Sequence, residues 1–195
     1  MRHPVKEMEL VLALFKRPQE GHSASSLSRV LNISPMGALK IVKRLERERI
    51  LSFKQVGQAK IYNLKLSSDY VKKYLSFLLH REAELSSPYI RRWITELKKI
   101  KSAEIILLFG SILKKEEAND IDVLFVISQK KFLELKKEIN ELNLINNKKI
   151  HPLFQSESDL RLNIQKEDKI ILNALKGLLV IGDEKLIEII KNEPR

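Results

Sequence analysis

Apolar residues recur along this chain with two different periods. Met8, Val11, Leu12 and Phe15 have the spacing of a helix that buries one stripe, over residues 5–15. Pro18, Gly21 and Ser23 then punctuate the chain. Residues 24–31 carry Leu27, Val30 and Leu31 on one side, which predicts a second short helix. The run Asn32-Ile33-Ser34-Pro35 predicts a turn into a third helix, with Ser34 as N-cap and Pro35 at the first helical position. That helix is expected to reach about Arg49 and to bury Leu39, Val42 and Leu45. Its other face shows Met36, Gly37, Lys40, Lys43, Arg44 and Arg47. Residues 50–53 and 61–64 predict two strands joined by a basic, glycine-containing loop over 54–60.

The helical period resumes over 69–100. Val71, Tyr74, Leu75, Leu78 and Leu79 form one stripe. After the break at Ser86-Ser87-Pro88, Ile90, Trp93, Ile94, Leu97 and Ile100 form another, and both suit core or dimer packing. From 103 onward short apolar runs alternate with helical ones. Strands are expected at 103–109, 121–127 and 149–154, with helices at 131–144, 157–176 and 183–191. The prediction is an α+β protein in three parts: a three-helix-plus-hairpin domain (1–66), a helical connector (67–100) and an α/β domain with a small mixed sheet (101–195).

Charge sharpens that division. Residues 1–66 hold 13 Lys/Arg against 5 Asp/Glu, and residues 67–100 hold 7 against 4. Residues 101–195 hold 16 of each, so the net charge of +11 lies entirely in the first half. A basic module beside a neutral one implies two kinds of partner, and nucleic acid is the usual one for the basic part. A solubilising charge excess would give the same count. There is no cysteine, so neither disulfides nor thiolate metal sites arise. No apolar run approaches the roughly 18 residues of a membrane helix, and the N-terminus has no signal-peptide core. These features imply a cytoplasmic protein with no membrane partner.

Two segments carry candidate chemistry. Leu107-Leu108-Phe109-Gly110-Ser111 ends an apolar strand in a Gly-Ser turn. Asn119-Asp120-Ile121-Asp122-Val123-Leu124-Phe125-Val126 then opens the next strand with two carboxylates one residue apart. Alternate strand residues share a face, so Asp120 and Asp122 project together as oxygen donors for a hard cation. Gly110 and Ser111 can bring backbone N–H groups close to phosphate oxygens. The arrangement resembles the minimal active-site signature of the nucleotidyltransferase superfamily that includes DNA polymerase β.

That resemblance implies that Gly110 and Ser111 hold a nucleotide's terminal phosphates and that Asp120 and Asp122 bind Mg²⁺. Asp120, Asp122 and Ser111 would then form the catalytic set, with a nucleoside triphosphate as co-ligand. Lys114 and Lys115 stand where the minimal family often has a basic residue, and would neutralise phosphate charge. Active members usually add a third carboxylate on the following core strand. Here that strand reads Lys148-Lys149-Ile150-His151-Pro152-Leu153-Phe154-Gln155, with no Asp or Glu, leaving His151 or Gln155 for the position.

The run LSRVLNISPMGALKIVKRLERERILSFKQVGQAKIYNL resembles the winged helix-turn-helix domain of MarR-like and ArsR-like regulators. The resemblance implies binding of double-stranded DNA. Ser34, Met36, Gly37 and Lys40 would lie at base edges, and Lys43, Arg44 and Arg47 nearer the phosphates. Lys54, Gln58 and Lys60 would lie on the wing. Winged helices that serve protein contacts remain the alternative. Many such regulators dimerise through flanking helices, so a homodimer is expected. The whole chain reads as a DNA-binding transcriptional regulator carrying a Mg-nucleotide-binding transferase-like domain. The alternative is an active, antitoxin-like transferase that nucleotidylates a protein or small-molecule acceptor.

Overall fold

The structure is a computed structural model and describes residues 5–114 and 119–191. The chain forms two compact units, one up to Leu78 and the other from Leu79 onward.

In the first unit α1 (Val5–Lys16) is apolar almost all round and buried on nearly every side. Helix α2 (Ala24–Leu31) starts at Ser23, whose hydroxyl accepts the Ser26 amide. It stops at Asn32, in the left-handed conformation, where the amides of Asn32 and Ile33 bond back to Arg29 and Ser28. Helix α3 (Pro35–Arg47) begins as the sequence predicts, with the Ser34 hydroxyl accepting the Gly37 amide at 3.0 Å and Pro35 in the first turn. It buries Ala38, Val42 and Leu45, while Leu39 is only half-buried. It ends two residues earlier than expected. Arg49 takes the left-handed conformation and the Ile50 amide closes on Leu45.

The antiparallel strands β1 (Leu51–Val56) and β2 (Ala59–Leu64) follow, in register from Leu51↔Leu64 to Val56↔Ala59. The ladder runs further than the sequence suggests. The turn is only Gly57-Gln58, so Lys54 and Lys60 sit on paired strands. Helix α4 (Asp69–Glu84) then runs from the first unit into the second.

In the second unit α5 (Pro88–Leu97) contributes Trp93, Ile94 and Leu97 to the core. Strands β3 (Ile105–Phe109), β4 (Asp120–Val126), β5 (Lys149–Gln155) and β6 (Leu178–Ile181) form a sheet in the order β5-β4-β3-β6. The β4–β5 pair is parallel and the other two are antiparallel, so the sheet is mixed and the α+β class holds. Ile106, Leu108, Val123 and Phe125 join Leu135, Ile139 and Leu142 of α6 (Phe132–Ile145) in one core. Every residue of β3 is buried, and α8 (Lys169–Leu175) and α9 (Asp183–Lys191) pack on it.

The stretch expected as one helix over 157–176 is two, α7 (Glu157–Gln165) and α8, broken at Glu167, which has φ 55°. Strand β6 was not expected. Its four residues lie between Gly177 and Gly182. A Cβ on Gly177 would run into the Leu108 carbonyl, so glycine there lets the chain close onto the β3 edge.

Candidate functional site

The carboxylate pair lies at the edge of the sheet where β3 ends and β4 begins. Phe109 pairs with Asp122, so Gly110 leaves the ladder beside that side chain and opens a 3₁₀ turn, Gly110–Leu113. Gly110 has φ 84°, and a Cβ there would overlap the Asp122 carboxylate. The glycine is therefore needed twice over, for a conformation other residues rarely adopt and for the room Asp122 occupies. Asp120 and Ser111 are exposed, and Asp122 is half-buried. Lys114 is exposed and closes the turn through its amide on the Ser111 carbonyl at 3.0 Å. Lys115 lies outside the described residues.

The parallel register of β4 and β5 decides what stands beside the two carboxylates. Asp120 pairs with Lys149 and Asp122 with His151. The Lys149 ammonium donates to the Asn143 carbonyl. His151 brings Nδ1 to 3.2 Å from Asp122 Oδ1. Gln155 sits at the far end of β5, opposite Val126, where its side chain accepts from Asn163 at 2.7 Å. Of the two residues left open by the sequence, His151 is therefore the one next to Asp122. Among the described residues no group of three or more His, Asp or Glu stands ready to hold an ion by itself. The two carboxylates are nevertheless the donor type that hard divalent cations take, at an open edge where other ligands can complete the shell.

The opposite end of the sheet carries a charge network. Lys185 donates to Glu104 and lies 3.0 Å from Glu157, which also accepts from Arg161 at 2.9 Å. The Arg161 hydrogen bond, followed by that of Lys185, holds the Glu157 carboxyl below its usual range. The Glu104 carboxylate raises the Lys185 ammonium above its own. These groups tie α7 and α9 to the start of β3.

In the first unit Met36, Lys40, Lys43 and Arg47 are exposed on α3. Ser34 and Gly37 are joined by the cap bond at the start of that helix. Arg44 differs from its neighbours. Its guanidinium pairs with Glu7 of α1, whose side chain is 2% exposed. On the wing, Gln58 is exposed in the turn, and Lys60 Nζ lies 3.7 Å from the centre of the Phe53 ring. Sequence reasoning placed Arg44 among the open basic residues and had no local signal for its buried partner, 37 positions earlier.

Residues 92–176 match the family model described as Polymerase beta, Nucleotidyltransferase, so the second unit carries a nucleotidyltransferase domain of that family. Solved structures similar to the chain are transcription factors of a different kind. They include the adhesin competence repressor AdcR from Streptococcus pyogenes, at 17% identity and TM-score 0.38, covering 51% of this chain and 69% of that one. They also include MepR, a transcription regulator of a Staphylococcus aureus multidrug efflux pump, at 17% identity and TM-score 0.36, covering 50% and 77%. A third is Lactococcus lactis ZitR, at 14% identity and TM-score 0.33, covering 51% and 73%. These similarities are weak, and the winged-helix description of the first unit rests on its own elements: three helices, a capped turn before the third, and a two-stranded wing. A comparison with curated proteins found no match. Among the described residues no helix is long and apolar enough to cross a membrane.

Proposed function

We propose that this chain is a DNA-binding transcriptional regulator whose nucleotidyltransferase domain binds a metal–nucleotide. The observation that carries the reading is the exposed basic row Lys40, Lys43 and Arg47 on the helix that follows the capped turn, with Lys54 and Lys60 on the adjacent wing. A helix of this kind fits the major groove, and its cations reach phosphates on either side. Two copies of the chain would present two such helices to a two-fold site.

The test is binding to a random-sequence duplex pool across a salt series, beside a light-scattering mass. A regulator of this type gives the mass of two chains at micromolar concentration. Lys40→Ala/Lys43→Ala/Arg47→Ala then weakens binding and flattens the plot of log affinity against log salt by roughly 2–3, about 0.9 per lost phosphate contact. Arg44 is left intact in this variant because of its partner on α1. Affinity that ignores both salt and the triple substitution overturns the reading. A mass of one chain overturns the dimer.

The contact of Gly110 with Asp122 favours a second reading for the same domain, transfer of a nucleotidyl group to a protein or small-molecule acceptor. In either case Asp120 and Asp122 would hold Mg²⁺, which neutralises phosphate charge when bound with a nucleoside triphosphate. The turn at Gly110 and Ser111 would orient the phosphates by its amides, and Lys114 would offset their charge. Mg²⁺-dependent transfer of label from an α-labelled nucleotide, lost in Asp122→Asn, would establish the enzyme. No transfer to any co-expressed protein leaves the regulator.

A further inference from the structure

We propose that His151 is a third donor of the carboxylate site, and that its imidazole makes the site select a divalent transition-metal ion over Mg²⁺. The inference rests on reading the second unit as a metal–nucleotide domain, and it adds which ion that domain takes.

The register supplies the first argument. Asp120 and Asp122 share one face of β4, and Lys149 and His151 stand opposite them on β5. The side chain standing across from Asp122 on that face is an imidazole. The second argument is distance. Two ligand bonds of about 2.1 Å at a right angle hold their donor atoms about 3.0 Å apart. The Asp122 Oδ1 to His151 Nδ1 separation of 3.2 Å already matches neighbouring positions on one ion. The same separation serves a hydrogen bond when no ion is present, so the pair needs little rearrangement to exchange a proton for a metal.

The surroundings leave that exchange open. His151 is 78% exposed along its side chain, so no packing fixes the ring, and Asp122 is 29% exposed. The Lys149 ammonium, the nearest cation by register, is occupied by the Asn143 carbonyl. Asp122 and His151 fill two positions, Asp120 reaches a third directly or through water, and phosphate oxygens complete the shell. Mg²⁺ binds oxygen almost exclusively and gives up its water reluctantly. Imidazole is a softer donor and favours ions from Mn²⁺ towards Zn²⁺. Exchanging a carboxylate for imidazole at this position therefore moves the preference of the site without removing its oxygen donors.

The experiment uses the full chain and Mn²⁺ as probe. Free Mn²⁺ is titrated by electron paramagnetic resonance, Mg²⁺ competes for the site, and the frozen complex is examined for ¹⁴N spin-echo modulation from a coordinated imidazole. The wild type is expected to bind one Mn²⁺ with ¹⁴N modulation. His151→Gln is expected to lose the modulation and to weaken Mn²⁺ by at least about tenfold while Mg²⁺ affinity stays nearly constant. His151→Asp is expected to swing the preference towards Mg²⁺. Mn²⁺ binding that is lost in Asp122→Asn but carries no ¹⁴N modulation in the wild type overturns the role of His151 and keeps the metal site. Modulation that persists in His151→Gln also overturns it. No Asp122-dependent binding of either ion overturns both the inference and the reading beneath it.

Discussion

Arg44→Ala is expected to lower the unfolding free energy of the chain by about 3 kcal/mol. Glu7 lies on α1 with its side chain 2% exposed, and Arg44 reaches it from α3. A carboxylate cannot leave water cheaply, and here a guanidinium compensates it in place of solvent. Removing the guanidinium leaves the carboxylate in the same buried position without that compensation. The expected cost is at the low end for a buried pair, because Arg44 is itself 38% exposed and water screens part of the attraction. The pair need not be a net source of stability. Replacing both members by apolar residues of similar size, Glu7→Leu with Arg44→Met, is expected to recover most of the loss. Urea unfolding followed by far-ultraviolet circular dichroism checks both. A loss below about 1 kcal/mol in Arg44→Ala, or no recovery in the double variant, contradicts the assignment. The same result bears on function. An Arg44 substitution weakens DNA binding through the fold of the first unit as well as through any phosphate contact, and is a poor probe of the interface.

Much of this architecture is legible in the sequence because it is local. Ser34-Pro35 announces the start of α3 by a cap and a fixed φ, and both are present. The alternating carboxylates of Asn119-Asp120-Ile121-Asp122 begin a strand as their spacing implies. What the sequence hides depends on partners far along the chain. Strand β6 has four residues, too few for a period, and exists because Gly177 lets it approach β3. The break between α7 and α8 falls at Glu167, a residue with no turn signature, held in the left-handed region by the Asp168 amide closing on Asn163. The choice between His151 and Gln155 as the neighbour of Asp122 is a question of register. A shift of strand pairing is invisible in composition and alternation alone. The buried Glu7 looks like one more surface acid of an amphipathic helix until α3 is laid against it.

Gly110→Ala tests whether the Gly-Ser turn and the carboxylate pair act as one unit. The substitution meets two obstacles. At φ 84° an alanine backbone is strained by about 1–2 kcal/mol. Its Cβ would also occupy the space of the Asp122 carboxylate, so that side chain must leave its position. Together the two are expected to destabilise the second unit by about 2–4 kcal/mol. Trp93 is the only tryptophan of the chain and lies in the core of that unit, so its fluorescence reports this unfolding directly. The decisive comparison is a double-mutant cycle. In an Asp122→Ala background the collision disappears and only the backbone strain remains, so Gly110→Ala should then cost no more than about 1–2 kcal/mol. Additive costs in the two backgrounds would show that Gly110 serves the turn alone. A cost that shrinks when Asp122 is shortened means that the residue at 110 sets where the carboxylate can stand. Metal binding should then be impaired in Gly110→Ala although both aspartates are retained. Direct titration of Mn²⁺ against the folded variant measures that loss, and affinity equal to the wild type would break the link between the turn and the pair.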